Sequence, residues 1–322
     1  MAIETGFLLY ALRTVLQLRF LGQRKRERIL KRISWAGLIL TGVLLLMVAC
    51  GGGDAPVLRV GGIPDQNASR LVWRYDGFAE YLSQKLGVTV EYVPSADYAA
   101  VVTAFSQGNL DLAFFGGLTG VQARLQDSGA PAIAQRENDA KFHSKFVVRS
   151  DVPADSLEEL LAVAGDLTIT FGSESSTSGH LMPRFYLGRA GLDPDSGFKS
   201  PPNYSGSHDL TWRLMESGAF DVGALNEDVW ARAVREGKVD TNKVRVLETT
   251  PPYFDYNWTA SSGMDERFGA GFTQKVQEAL LALNTDEHQE ILELFSTARF
   301  IATENDNYQA IEDVARGLGI IR

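Results

Sequence analysis

The sequence predicts an α/β protein of two similar lobes. One observation is a strand–helix–strand–helix–strand rhythm at short spacing between residues 57 and 115. The other is the return of that rhythm between 166 and 225, with no recognisable repeat of the letters themselves. Alternation of this kind marks a parallel sheet, whose strands need helical crossovers to run in one direction.

The elements follow in order. VLRVGGI (57–63) is an apolar strand ending in a turn at Pro64 and Asp65. LVWRYDGFAEYLSQKL (71–86) carries apolar groups at helical spacing, and Gly87 supplies the stop. VTVEYV (88–93) alternates as a strand, residues 98–107 form a helix closing at Gly108, and LDLAFF (110–115) is a short strand before Gly116 and Gly117. In the second unit, strands are expected at 166–171, 198–201 and 219–225, with helices starting at His180 and His208. FHSKFVV (142–148) is the expected outward crossing and YFDYNWTA (253–260) the return. An amphipathic helix over 272–294 is placed back on the first lobe. Lobe 1 is therefore expected over 57–145 with 261–322 returning to it, and lobe 2 over 146–260.

The N-terminal part carries an address. A basic block, RKRERILKR (24–32), precedes SWAGLILTGVLLLMVA (34–49), 16 residues without a charge. That is short of the roughly 20 residues a spanning helix needs, and the order of basic block, apolar core and small residue is that of a secretory signal. Cys50, the only cysteine, follows Ala49 and precedes three glycines, which resembles a bacterial lipobox with Met47 where Leu is usual. The expectation is a signal segment over 1–49, cleavage before Cys50, lipid on its sulfur and a Gly-rich tether over 50–56. The remaining 273 residues hold 23 basic and 38 acidic side chains, a formal charge of −15. So acidic a body argues against nucleic acid or an anionic membrane surface as partner.

One stretch concentrates chemistry. FGSESSTSGH (171–180) places five hydroxyls and two glycines where a strand runs into a helix. Helix N-termini carry unpaired N–H groups and the positive end of the helix dipole. With the hydroxyls of Ser175, Ser176, Thr177 and Ser178 added, this is a cradle for an oxyanion that needs no lysine. One capping residue would serve an ordinary N-cap. The GK[ST] ending of a nucleotide P-loop is missing. YSGSHD (204–209) repeats the theme, with His208 near a helix start; ALNED (224–228) ends in the carboxylates Glu227 and Asp228. TPPYFDYNW (250–258) is dense in aromatics, suited to the wall of a cleft. In the first lobe Asp97, Tyr98, Phe115, Gly116, Gly117 and Gln122 fall at strand ends or helix starts.

Together VGGIPDQN, DYAAVVTAFSQGNLDLAFFGG, AQRENDAKFHS, GSESSTSGHLMPRFYL, SGSHDLTWRLMESGAFDVGALNEDVW and TTPPYFDYNW resemble the solute-binding lipoproteins of phosphonate/phosphite-type ABC importers. The likeness runs from Val57 to the C-terminus and is strongest to a branch described as selenate binders. It implies a type II periplasmic-binding fold: two α/β lobes, two crossover strands and a ligand closed between them. It also implies a permease and an ATPase as partners and no cofactor. Carried over residue by residue, Ser176, Thr177 and Ser178 match the oxyanion motif and His208 the family's histidine. Asp255 matches a carboxylate near the second crossing, Glu227 or Asp228 another, and Tyr98 a tyrosine facing the cleft. Tyr253, Phe115, Gly116 and Ser175 complete the expected lining. Phe142 and His143 stand where relatives place an aromatic.

The carboxylates bear on the ligand. An Asp or Glu beside a fully ionised oxyanion sets two like charges face to face in a low dielectric. Selenate and sulfate carry no proton at neutral pH, whereas monoprotonated phosphite, or a phosphonate with an amine, offers a donor. The leading expectation is a membrane-tethered, monomeric receptor that presents a small oxyanion to a permease. A sensor domain would need a separate signalling partner. An enzyme would need a nucleophile–base pair or metal cluster, yet His143, His180, His208 and His288 lack metal-type spacing and Ser207, His208 and Asp209 are adjacent in sequence.

Overall fold

The computed structural model describes residues 55–322. The leader, Cys50 and most of the tether lie outside the described residues.

In chain order the first unit is β1 (Leu58–Gly62), α1 (Ala68–Leu86), β2 (Val90–Tyr92), α2 (Tyr98–Ser106), β3 (Leu112–Phe115), α3 (Gly117–Gln126) and β4 (Ala132–Arg136). The second is β5 (Ser144–Arg149), α4 (Leu157–Val163), β6 (Ile169–Phe171), α5 (Met182–Arg189), β7 (Asn203–Tyr204), α6 (His208–Glu216), β8 (Val222–Asn226), α7 (Glu227–Arg235) and β9 (Val244–Thr249). The chain then returns through β10 (Asn257–Ala260), α8 (Met264–Phe268), α9 (Phe272–Leu281), α10 (Thr285–Phe295), β11 (Phe300–Ala302) and α11 (Gln309–Gly317).

Two sheets result, in the order β11-β4-β10-β3-β1-β2 and β7-β6-β8-β5-β9. β1 runs parallel to β2 and β3, as β6 does to β7 and β8. β10 is antiparallel to both β3 and β4, and β5 to both β8 and β9, so each sheet takes one strand from the crossing chain.

Local signals account for the elements. α1 starts where Asn67 Oδ1 accepts the Arg70 N–H at 3.0 Å, a side-chain cap for an orphan donor. Its stripe Leu71, Tyr75, Phe78 and Leu82 is buried. It ends at Gly87, which takes φ 69°, a left-handed conformation that costs glycine nothing. Trp258, fully buried, stacks on Phe78 at 4.6 Å and meets Phe114 and Phe295 at 5.0 and 5.7 Å, joining sheet and helices of the first lobe.

Several expected boundaries move. Ser144 already pairs with Asn226 in the second sheet, and Asn257 with Phe115 in the first. Parts of both stretches expected as crossings, from Ser144 and from Asn257, are therefore sheet. At the crossing itself Phe142 and Tyr253 exchange backbone bonds of 2.9 and 3.0 Å. Residues 198–201 are not a strand: Pro201 and Pro202 lack the N–H a ladder needs, and pairing waits for Asn203 and Tyr204. The helix expected over 272–294 is two, because Asn284 Oδ1 caps a fresh start by accepting the Asp286 and Glu287 N–H groups, each at 3.1 Å. The helix expected at His180 begins with a π-helical turn, Thr177–Leu181, before α5.

Trp258→Ala should lower the unfolding free energy by about 3–5 kcal/mol through the cavity it leaves, read from the urea midpoint at unchanged slope.

Candidate functional site

The strand β6 delivers the hydroxyl-rich loop to the seam between the sheets. Ser176 Oγ caps the following turn by accepting the Gly179 N–H at 2.9 Å. Gly172 N–H donates to Gly179 O at 2.8 Å, folding the loop back on itself. The two glycines are required by closeness: a Cβ on Gly179 would lie 3.1 Å from Gly172 Cα and 3.0 Å from His208 Cε1. His208 therefore packs directly against the loop. Ser176, Thr177 and Ser178 are buried, while Ser175 is half-buried at the rim, its N–H turned to Ser173 Oγ at 3.4 Å.

The start of α3 comes from the other lobe to meet this loop. Leu118 N–H donates to Thr177 Oγ1 at 3.0 Å, and Gly117 N–H to Asp255 Oδ1 at 2.9 Å. A Cβ on Gly116 would sit 3.2 Å from Thr177 Oγ1 and 3.3 Å from Asp255 Oδ1, so the contact needs a glycine. Two helix N-termini thus face one volume, positive end toward positive end, an arrangement that favours an anion between them.

Asp255 is the resident anion. Burial pushes its carboxyl up to about 6, against the opposing pull of the Gly117 N–H and the hydroxyls of Thr177 and Ser178. Its Oδ2 is buried with no hydrogen-bond partner. Tyr98 Oη is likewise buried without a partner, and burial together with Asp65 and Asp255 raises its pKa well above the usual phenol range, so it stays a donor. At the start of α6, His208 Nδ1 accepts the Asn226 N–H at 3.3 Å. That bond leaves the proton on Nε2, which is buried and unpartnered. Burial pushes His208 down to about 4, so at neutral pH it is an uncharged donor. The volume is lined by hydroxyls, a phenol, a neutral imidazole and one carboxyl.

Comparison with known proteins gives this arrangement a family. Residues 60–308 match the model of the ABC transporter phosphonate periplasmic substrate-binding proteins. The chain belongs to that family. It is 43% identical over 270 residues, 83% of this chain and 91% of the relative, to the probable ABC transporter phosphite binding protein PhnD1 of Prochlorococcus marinus strain MIT 9301. The structure of that PhnD1 in complex with methylphosphonate matches with a TM-score of 0.80 at 42% identity, covering 83% of this chain and all of that one. The phosphonates-binding periplasmic protein of Escherichia coli K12 is 28% identical over 210 residues, 64% of this chain and 61% of the relative. The fold is the type II periplasmic-binding one, and the chain is the extracytoplasmic substrate-binding component of an ABC importer, a transport protein rather than an enzyme.

Within this binding protein, not every residue singled out in the sequence reaches the cradle. Glu227 Oε1 accepts the His143 N–H at 3.0 Å and its Oε2 lies 3.8 Å from Lys145 Nζ, so it serves the outward crossing. Asp228 Oδ2 accepts from Arg136 Nη1 at 2.9 Å and Asn138 Nδ2 at 2.8 Å, tying α7 to the first lobe. Both sit in the first turn of α7, and the partners of each lie outside the hydroxyl loop. His143 Nδ1 donates to Thr250 O at 2.6 Å, and Tyr253 Oη is 2.7 Å from Ser144 Oγ, so both brace the crossings. Phe115 is core, edge-on to Phe105 at 5.4 Å.

Sequence reasoning placed Gly117 at a helix start without giving its N–H a role, and it missed the backbone donor Leu118 and the side chains of Asp65, Asn226 and Tyr256. Amides carry no letter signal. Asn226 stood in the ALNED motif, where its two acidic neighbours drew attention.

Asp255→Asn should stabilise the ligand-free protein by about 1–3 kcal/mol at pH 8. The raised carboxyl costs stability once ionised, fully above about 6 and not at all below its unfolded value of 3.8. The gap between variant and wild type should therefore narrow as pH falls from 6 to 4 in thermal unfolding.

Proposed function

We propose that this chain captures a small monoprotonated phosphorus oxyanion, phosphite or methylphosphonate, and delivers it to its permease. The observation that carries the reading is Asp255 inside the cradle, with one oxygen held by Gly117 N–H and the other buried without a partner. Ser176, Thr177, Ser178, Tyr98 and His208 supply uncharged donors to the ionised oxygens, and Asp255 accepts from the P–OH. A phosphate-type second ionisation lies near 6, the same range as the buried carboxyl of Asp255, so ligand and Asp255 can hold one proton between them near neutrality. Sulfate and selenate carry none and would set charge against charge. With Glu227 engaged elsewhere and Gly116 packed so close to Thr177 and Asp255, a short substituent suits the site better than an aminoethyl arm. The names of the Prochlorococcus relative and its bound ligand support the same class. The lobes close about the paired crossings at Phe142 and Tyr253, and one copy supplies the whole cradle, consistent with a working monomer.

The test is thermal unfolding of residues 51–322 against phosphite, methylphosphonate, aminoethylphosphonate, phosphate, sulfate and selenate. Phosphite or methylphosphonate at about 100 times its dissociation constant should add about 2.7 kcal/mol. Thr177→Val should abolish the shift, and Asp255→Asn should weaken phosphite tenfold or more while easing the rejection of sulfate. A shift with selenate alone would overturn the proton-matching argument.

We also propose that Cys50 carries the lipid that holds the protein at the membrane, on the strength of the lipobox-like sequence. Labelled palmitate should enter the wild type and not Cys50→Ala, which should be released from the membrane fraction.

A further inference from the structure

A buried polar chain runs from His208 across the seam between the lobes. Asn226 is its hub. The backbone N–H of Asn226 donates to His208 Nδ1 at 3.3 Å, its Oδ1 caps α7 by accepting the Val229 N–H at 3.0 Å, and its Nδ2 donates to Tyr256 Oη at 2.9 Å. Tyr256, in the first lobe, donates in turn to Asp65 Oδ2 at 3.1 Å, and Asp65 Oδ1 is held by Arg74 at 3.2 Å. The backbone closes the ring, His208 N–H lying 3.4 Å from Asp65 O. All four side chains on this path from His208 to Asp65 are buried.

The directions of these bonds are forced. Asp65 can only accept while ionised, so the Tyr256 proton goes to it and the Tyr256 oxygen must accept. Only the amide nitrogen of Asn226 can supply that donor, which leaves its oxygen for the helix cap. The Asn226 backbone N–H then takes His208 Nδ1 and keeps the proton on Nε2.

We infer that Asn226 and Tyr256 are positioning residues: they hold His208 with its Nε2–H on the anion and, because Tyr256 and Asp65 belong to the opposite lobe, make that donor part of the latch that keeps the lobes closed. This rests on the ligand class proposed above. It assigns the latch to hydrogen bonds that the ligand never touches. Such bonds exist only in the closed form, so losing them speeds release and leaves capture nearly unchanged.

Two variants test the latch without removing the fold. Tyr256→Phe keeps the ring that stacks on Phe114 at 5.2 Å and lies under the Arg136 guanidinium at 4.6 Å. Asn226→Asp keeps a good cap for α7 but replaces the cross-lobe donor with a second carboxylate facing Asp65 across one tyrosine proton. The cations nearby are committed: Arg74 to Asp65, Arg136 to Asp139 and Asp228, and Arg232 to Ser296 Oγ at 3.3 Å. His208 is neutral, and Asp255 and Tyr98 offer no positive charge.

Methylphosphonate binding is followed by stopped-flow tryptophan fluorescence. Both variants should raise the dissociation rate tenfold or more and change the association rate less than threefold. For Asn226→Asp the excess should shrink as pH is lowered from 8 to 5.5, while Tyr256→Phe shows no such recovery. The wild-type complex should show a protonated Nε2 and an unprotonated Nδ1 for His208 in nitrogen-15 NMR. Wild-type rates in Tyr256→Phe, or a proton on Nδ1, overturn the latch alone. A wild type that binds none of the phosphorus anions removes the ligand class, and the latch falls with it.

Discussion

A carboxyl buried between two helix N-termini is the constraint on which the rest of this protein depends. Helix dipoles and unpaired N–H groups draw an anion to that place, while burial resists any charge there. For Asp255 the balance lands at about 6. The charge is therefore carried near neutrality at a cost, and a ligand bearing a proton relieves it. The surrounding donors are all uncharged, so nothing else in the cradle settles the score. On the proposed reading, selectivity among tetrahedral anions follows from proton count more than from size.

The architecture is arranged to bring those two helix ends together. In each sheet parallel strands end toward the seam, and the helices that follow them begin there. The strands β10 and β5 run against both their neighbours because each arrives from the other lobe, and β11 runs against β4 at the edge of the first sheet. Hence the crossings are short and braced. Glu227, His143, Ser144 and Tyr253 spend their polar groups on them. Asp228 adds an ion pair that spans the seam, partly buried and so of modest net worth compared with the loss if either partner were removed.

Much of this was legible in the letters. The strand–helix rhythm, the stop at Gly87 and the hydroxyl run 175–178 all act over a few residues. So does the resemblance to the phosphonate-binding family, carried by short motifs. Boundaries were missed where a distant partner decides them. Ser144 joins the second sheet because Asn226 is opposite it, and Asn257 joins the first because Phe115 is.

What the sequence determined by itself was local: which segments form strands and helices, and that one strand-to-helix junction gathers hydroxyls and glycines at a helix start. What only the tertiary structure decided is which of several nearby carboxylates lies against that junction. Glu227 and Asp228 look as suitable as Asp255 in the chain, and they lie beside a motif of the right kind. Both are engaged elsewhere, Glu227 by the His143 N–H and Lys145, Asp228 by Arg136 and Asn138. Asp255 wins because β10 threads back between β3 and β4 and sets it against the first amide of α3. That juxtaposition joins residues 138 apart in the chain. No local pattern records it, since the energy that fixes it is the packing of the whole first sheet.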